Sequence, residues 1–269
     1  MLRELLTWLA AAPSATGRRL GYLRHSVALE ARHRRRRKAW APHIARCHAT
    51  IEAAIAATPR RRLAVVYGSG LLAELPMEAL VGGFDRVVLI DVAHLPAARW
   101  RVRRFRNVEL MVADITGVAA PLAAGGPELP APQPPPFAAD PGADLIVSAN
   151  LLSQLPLVPT EFATAKGRYD EVALADFARS IVSGHLAALR SSPARVCLIT
   201  DVRSEYRDRA GTVIETDDVL WGVALPPLRP ERHAEWSWSL APFGEEDRRY
   251  EIVNRVVGIP DLTAAVEVE

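Results

Sequence analysis

Residues 63–91 constrain this chain more than any other stretch. An apolar run, LAVVY, feeds directly into GSGLLA. A helix-like segment follows, and a second apolar run, RVVLID, ends on Asp91. In order this reads as strand, glycine turn, helix and strand, closed by a carboxylate. Such a unit places backbone N–H groups and a helix N-terminus at one end of a sheet, with the acid beside them. A nucleoside-bearing cofactor suits that edge. The glycine turn permits close approach, and the carboxylate accepts from two ribose hydroxyls.

The same rhythm continues downstream. Apolar runs over 63–67, 87–90, 108–113, 144–148 and 195–200 read as strands. Helices are expected over 71–81, 95–105 and 169–189, the last carrying Val172, Phe177, Ile181, His185 and Leu189 at helical spacing. Strands alternating with helices predict a mainly parallel sheet covered on both faces. The rhythm changes near the C-terminus. Residues 235–240 alternate, APFGEEDR is turn-like, and 249–258 is again strand-like, which predicts an antiparallel hairpin. The expected fold is therefore α/β, Rossmann-like, with a mainly parallel seven-stranded sheet ending in that hairpin. The Pro-rich stretch 117–142 replaces a compact crossover. It is too rich in Pro and Gly for a helix and reads as an exposed, partly disordered loop, with a lid as the alternative.

Ahead of the sheet lies a basic helical extension, residues 1–62, which holds 14 Lys and Arg against 3 Asp and Glu. Its net charge is +11, and the rest of the chain, 63–269, carries −9. Residues 17–57 read as two helices. In the second, Trp40, Ile44, Cys47, Ile51 and Ile55 form one apolar stripe, Pro42 suits the first turn, and Thr58-Pro59 ends it. Arg34, Arg35, Arg36 and Arg37 point all around a helix, so they cannot grip one phosphate backbone together. The extension can meet RNA, an anionic surface, an acidic partner, or the chain's own acidic body. No apolar run approaches the ~20 residues of a membrane span. The first 16 residues read as an amphipathic helix rather than a signal peptide, so no membrane partner is expected. Cys47 and Cys197 are too few and too far apart for a disulfide framework, which fits a reducing, cytoplasmic setting. His43, Cys47 and His48 fall close together on one helix, but Cys47 belongs to the apolar stripe. Packing is the better reading, and no metal is expected.

Two chemistries compete for the glycine turn. Gly68, Gly70 and Ala73 fit the dinucleotide pattern G-x-G-x-x-A, with Asp91 as the ribose acid. Three downstream features differ from that reading. The third strand also ends in an acid, Asp114. The fourth ends in the polar step Ser148-Ala149-Asn150 before an apolar turn. The sheet then finishes with the hairpin.

That ordered set resembles the class I S-adenosylmethionine-dependent methyltransferases over residues 63–258. The resemblance implies that Gly68, Ser69 and Gly70 face the methionine part of S-adenosylmethionine. It implies Asp91 at the ribose, Asp114 with Ile115 at the adenine, and Asn150 with Leu151 at the methyl-transfer site. The expected function is methyl transfer to an unknown acceptor, small or macromolecular, with the helices before the first strand capping the site. The chain departs from the family's pattern twice. Val66 stands where an acid usually precedes the glycines, and Leu72 replaces the common third glycine. These keep open a binding or scaffold protein without turnover, and the dinucleotide pattern keeps open an NAD(P)-dependent oxidoreductase. No catalytic residue is assigned. Gln154 and Ser153 can orient an acceptor or simply cap a helix. Asp201, read as the end of the fifth strand, is a base, a substrate ligand or a turn former. His94 faces the ligand edge or bonds the backbone. Trp236 and Trp238 point the same way, toward a core or an acceptor.

Overall fold

The computed structural model describes residues 15–266. The expectation for the N-terminal segment before residue 15 lies outside the described residues. Eight strands form one sheet: β1 (Leu63–Tyr67), β2 (Arg86–Asp91), β3 (Val108–Val112), β4 (Ala143–Ala149), β5 (Arg195–Arg207), β6 (Val213–Asp217), β7 (Ala234–Ala241) and β8 (Glu251–Ile259). Their order is β3-β2-β1-β4-β5-β8-β7, with β6 paired to β5. The first five strands are mutually parallel, and β6, β7 and β8 join through antiparallel ladders. The strand order reverses between β1 and β4, which leaves a crevice at their carboxyl ends.

The Rossmann-like architecture with its antiparallel C-terminal end is thus present, with eight strands rather than seven. The extra strand is β6, whose five residues are all exposed. Neither an apolar run nor alternating burial marks such a strand in a sequence. It pairs with residues 204–207 of β5, which runs well past residue 200 because β8 pairs along it from Leu198 to Arg207. The register shifts between Asp201 and Arg203, so Val202 is a bulge.

Alternate residues of the central strands enter opposite cores, as the period of two requires. Val65 and Tyr67 pack with Ile146, Phe177, Ile181 and Leu198 on one face. Ala64 and Val66 pack with Trp40, Cys47, Ile51, Val147 and Ile199 on the other. The first core is covered by α7 (Glu171–Arg190), which has the length and apolarity to cross a membrane but buries Phe177, Ile181, Leu186 and Leu189 here. The second is covered by α2 (Tyr22–Ala57), lying over β4, β5, β7 and β8. Short helices complete the layers: α1 (Ala15–Leu20), α3 (Met77–Gly83), α4 (Pro96–Val102), α5 (Ala119–Ala124), α6 (Leu157–Thr164) and α8 (Leu262–Ala265).

Three helix expectations need correction. The two helices of 17–57 divide at Gly21, whose φ is 98°, so one continuous helix carries both the arginine run and the apolar stripe. Pro42 therefore lies inside α2, not in a first turn. It removes the bond to the carbonyl of Lys38, on a face that is open to solvent. The helix expected from residue 71 begins at Met77 instead, after a turn in which the Leu72 N–H donates to Ser69 O at 2.9 Å. The Pro-rich stretch is not a loose loop. It contains α5, and then Gln133 N–H donates to Thr116 O at 2.8 Å and the Tyr67 hydroxyl donates to Pro136 O at 2.6 Å. Ala138 is buried. Prolines lose little entropy on ordering and carry no N–H to satisfy, so a few such bonds hold the path.

The basic run meets the chain's own acids. Glu245, whose side chain is 5% exposed, accepts from Arg35 at 2.5 Å and Arg36 at 2.6 Å, and Arg32 pairs with Glu246. Those guanidinium contacts hold the Glu245 carboxyl below its usual range. They seat α2 on the turn joining β7 to β8.

Gly258 sets how closely α2 and β7 approach β8. A Cβ there would lie 2.7 Å from the Trp236 ring and 2.8 Å from Thr50 Oγ1. Gly258→Ala is expected to cost about 1–3 kcal/mol by overpacking. Gly82→Ala, where an added Cβ meets nothing within 4 Å, is expected to be neutral or slightly stabilising. Chemical denaturation of both variants checks the pair.

Candidate active site

The carboxyl ends of β1 to β4 open into a cavity of about 700 Å³ that α2 covers with Tyr22, Ser26, Leu29 and His33. Its volume is within the ~300–1,000 Å³ usual for small-molecule sites. The glycine turn forms one wall. Gly68 (φ 74°) and Gly70 (φ 45°) take left-handed conformations, and a Cβ on Gly68 would lie 3.0 Å from the Leu151 side chain. Gly68 N–H donates to Ile90 O at 3.0 Å, and Gly70 N–H donates to the Asp91 carboxylate at 2.7 Å. The turn is thereby tied to the tip of β2. Leu72 also has a positive φ, 59°, and is 1% exposed. The chain keeps the backbone a glycine would adopt there, at a cost of about 1–2 kcal/mol that burial of the leucine offsets.

Burial raises the Asp91 carboxyl above its usual range, and the Gly70 N–H opposes that shift. Asp114 is more fully engaged. It accepts from Thr116 N–H at 2.9 Å, Thr116 Oγ1 at 2.6 Å and Ala119 N–H at 2.7 Å, closing the turn into α5. Ile115 is buried beside it. After β4, Asn150 takes a φ of 51°, tolerable for asparagine, and its N–H donates to Ile199 O at 2.8 Å. Gln154 Nε2 donates to Asn150 O at 2.7 Å.

All eight residues expected at a cofactor, Gly68, Ser69, Gly70, Asp91, Asp114, Ile115, Asn150 and Leu151, line this one cavity. Five buried polar atoms of the lining residues, Ser69 Oγ, Asn150 Oδ1, Ser153 Oγ, Asp201 Oδ1 and Trp238 Nε1, have no close hydrogen-bond partner among the described residues. Buried polar atoms are normally paired, so these fit a ligand carrying its own donors and acceptors. Of the two departures, Leu72 is part of the cavity wall and Val66 is not. Tyr67 points to the opposite face, its ring edge-on to His185 at 5.8 Å. Val66 is a core residue under α2.

The far end of the cavity is built by β5, β7, β8 and the loop after β6. Asp201 is not a strand end but lies within β5, beside the bulge, and is 4% exposed. Its Oδ2 accepts from Asn254 Nδ2 at 2.8 Å, and Asn254 Oδ1 accepts from Ser204 Oγ at 2.7 Å. Its Oδ1 has no partner among the described residues. Burial pushes the Asp201 carboxyl up to about 7, with Glu74 adding to the shift and His43, Asn254 and the Ser153 hydroxyl opposing it. Trp238 and Trp40 meet edge to face at 4.9 Å on the same wall.

His43, Cys47 and His48 serve packing. Trp236 Nε1 donates to His43 Nδ1 at 3.1 Å, so His43 Nε2 carries the hydrogen and donates to Glu74 at 3.0 Å. The ring stacks on Trp238 at 4.0 Å. His48 bonds Ala73 O at 2.8 Å, and burial raises the Cys47 thiol. His94 bonds the backbone at Met111 O, 3.0 Å away. Sequence reasoning passed over Glu74, Ser204 and Asn254. Only Asn254 carried a signal, a polar residue among the apolar neighbours of β8.

No protein-family model and no curated protein sequence matches the chain. Solved structures that resemble it include the N-methyltransferase NodS from Bradyrhizobium japonicum WM9 in complex with S-adenosylhomocysteine. That match has 15% identity and a TM-score of 0.33, over 80% of this chain and 86% of that one. Another is the 1,6-didemethyltoxoflavin-N1-methyltransferase of Burkholderia thailandensis, at 11% identity and a TM-score of 0.35, over 93% and 95% of the two chains. A third is an rRNA methylase from Streptococcus thermophilus, at 12% identity and a TM-score of 0.32, over 81% and 96%.

The buried acid at Asp201 has a measurable signature. Its folded-state affinity for a proton exceeds that of the unfolded chain, so ionisation between about pH 4 and pH 7 removes stability, on the order of 4 kcal/mol in full. Asp201→Asn keeps an acceptor for Asn254 and abolishes the ionisation. Thermal melts are expected to show the variant close to wild type near pH 4 and increasingly more stable as the pH rises to about 8.

Proposed function

We propose that this chain is a class I methyltransferase that binds S-adenosylmethionine at the carboxyl edge of β1 to β4 and transfers its methyl group to an acceptor. The observation carrying this reading is the gathering of the glycine turn, Asp91, Asp114 and Asn150 around one cavity, in a sheet whose last ladders are antiparallel. The antiparallel end also separates the chain from the doubly wound order 3-2-1-4-5-6 of dinucleotide-binding folds.

When bound, the cofactor supplies a sulfonium that already activates the methyl carbon. The chain's residues then have to bind, align and exclude water. In this reading Asp91 accepts from the ribose hydroxyls with the lone pairs that Gly70 leaves free. Ile115 and the apolar wall hold the adenine, while Asp114 chiefly shapes its loop. Ser69 and Asn150 receive polar groups of the methionine part. Residues 1–62 act as a cap on the domain formed by 63–269, with α2 over the cavity. The second reading, a binding protein without turnover, is favoured by Val66, which puts an aliphatic core side chain where the family has an acid.

Isothermal titration with S-adenosylmethionine, S-adenosylhomocysteine and NAD tests the proposal. Both adenosyl ligands are expected to bind and NAD is not. Asp91→Asn is expected to weaken S-adenosylhomocysteine by about 10- to 100-fold, the worth of one or two hydrogen bonds to a charged group. Tighter binding of NAD than of either adenosyl ligand would sink it.

A further inference from the structure

We infer, resting on the methyl-transfer reading above, that the acceptor is a small amine, bound as its ammonium at the far end of the cavity beside Asp201 and Trp238.

Glu74, Asp201, Asp217 and Asp218 line the cavity, and none forms an ion pair with arginine or lysine among the described residues. Among the described residues Glu74 holds His43, Asp201 holds Asn254 and faces the Ser153 hydroxyl, and Asp217 holds the Tyr206 hydroxyl. Asp218 accepts from the N–H groups of Leu220 and Gly222. The basic groups that reach the cavity are already used or uncharged. Arg32 pairs with Glu246, His25 bonds Glu161, and burial lowers the proton affinity of His33. A phosphate-bearing or carboxylate-bearing acceptor meets net repulsion there, and a cation meets attraction.

Geometry adds a second, independent observation. Asp201 is 4% exposed and its Oδ1 is an unpartnered acceptor on the cavity wall. An ammonium N–H satisfies that oxygen. Trp40, Trp221 and Trp238 line the same cavity, and aromatic faces attract cations. The carboxyl of Asp201, pushed up to about 7 with Glu74, His43 and Asn254 facing it, is matched to taking a proton near neutral pH.

Asp201 takes one proton from the bound ammonium and later passes it to water. The freed nitrogen lone pair forms the N–C bond to the methyl carbon as the C–S bond breaks. The C–S electron pair stays on sulfur, leaving a neutral thioether and a methylated ammonium.

The test uses the full chain. S-adenosylhomocysteine is titrated first, and its failure to bind wild type overturns the methyl-transfer reading itself. The loaded protein is then titrated with benzyltrimethylammonium, a cation that cannot accept a methyl group, and with benzoate. Tritium transfer from labelled S-adenosylmethionine is measured with phenethylamine, tryptamine and total RNA. The expected results are binding of the cation and not of benzoate, and label in the amines and not in RNA. Asp201→Asn removes the negative charge facing the quaternary cation and is expected to weaken its binding about tenfold or more while leaving S-adenosylhomocysteine unchanged. Equal binding of benzoate, label in RNA, or an unaltered cation affinity in the variant overturns the inference. So does a parallel loss of S-adenosylhomocysteine binding, because Asp201 would then serve the cofactor's own ammonium.

Discussion

A parallel sheet buried on both faces leaves polar chemistry almost nowhere to go except the strand ends. In β1 every residue is buried, with Val65 and Tyr67 committed to the core under α7 and Ala64 and Val66 to the core under α2. A charged side chain within that run lacks water and partners. Carboxylates therefore gather where the strands stop, as at Asp91 and Asp114. The reversal of strand order between β1 and β4 opens the crevice there, and α2 covers part of it.

That closure depends on a buried relay of polar contacts. Trp236, His43 and Glu74 bind in sequence, while Trp238 lies stacked on the same imidazole. The relay joins β7, α2 and the loop after the glycine turn, so one wall of the cavity is set by groups far apart in the chain. Strain collects at the same place. Of the four non-glycine residues with positive φ among the described residues, Leu72, Asn150 and Trp221 line the cavity. Such conformations persist where surrounding packing over-determines them, and they concentrate at functional sites.

The acids of the cavity differ in how completely the fold uses them. Asp114 spends its carboxylate on Thr116 and Ala119, so its main work is to shape a loop. Asp91 ties the glycine turn and keeps accepting capacity. Asp201 is left with an unpaired oxygen. The same side-chain chemistry thus plays three roles, decided by how many local N–H groups reach each carboxylate.

Much of this was legible in the sequence. Glycine turns, strand-ending acids and apolar runs are local patterns, so the parallel strands could be read directly, while the set of eight cavity residues came from the family resemblance those patterns carry. β6 could not, because a fully exposed strand has no burial pattern. Nor could the path of 117–142, whose order comes from contacts with Thr116 and Tyr67 rather than from its own composition. The role of Asp201 was hidden for a further reason: β8 carries Asn254 to it from 53 positions away. Local residue spacing determined the strand–turn–helix grammar and the acids at the sheet edge. Only tertiary structure decided which carboxylates stay unsatisfied, since that depends on which distant donors the fold brings within hydrogen-bond reach.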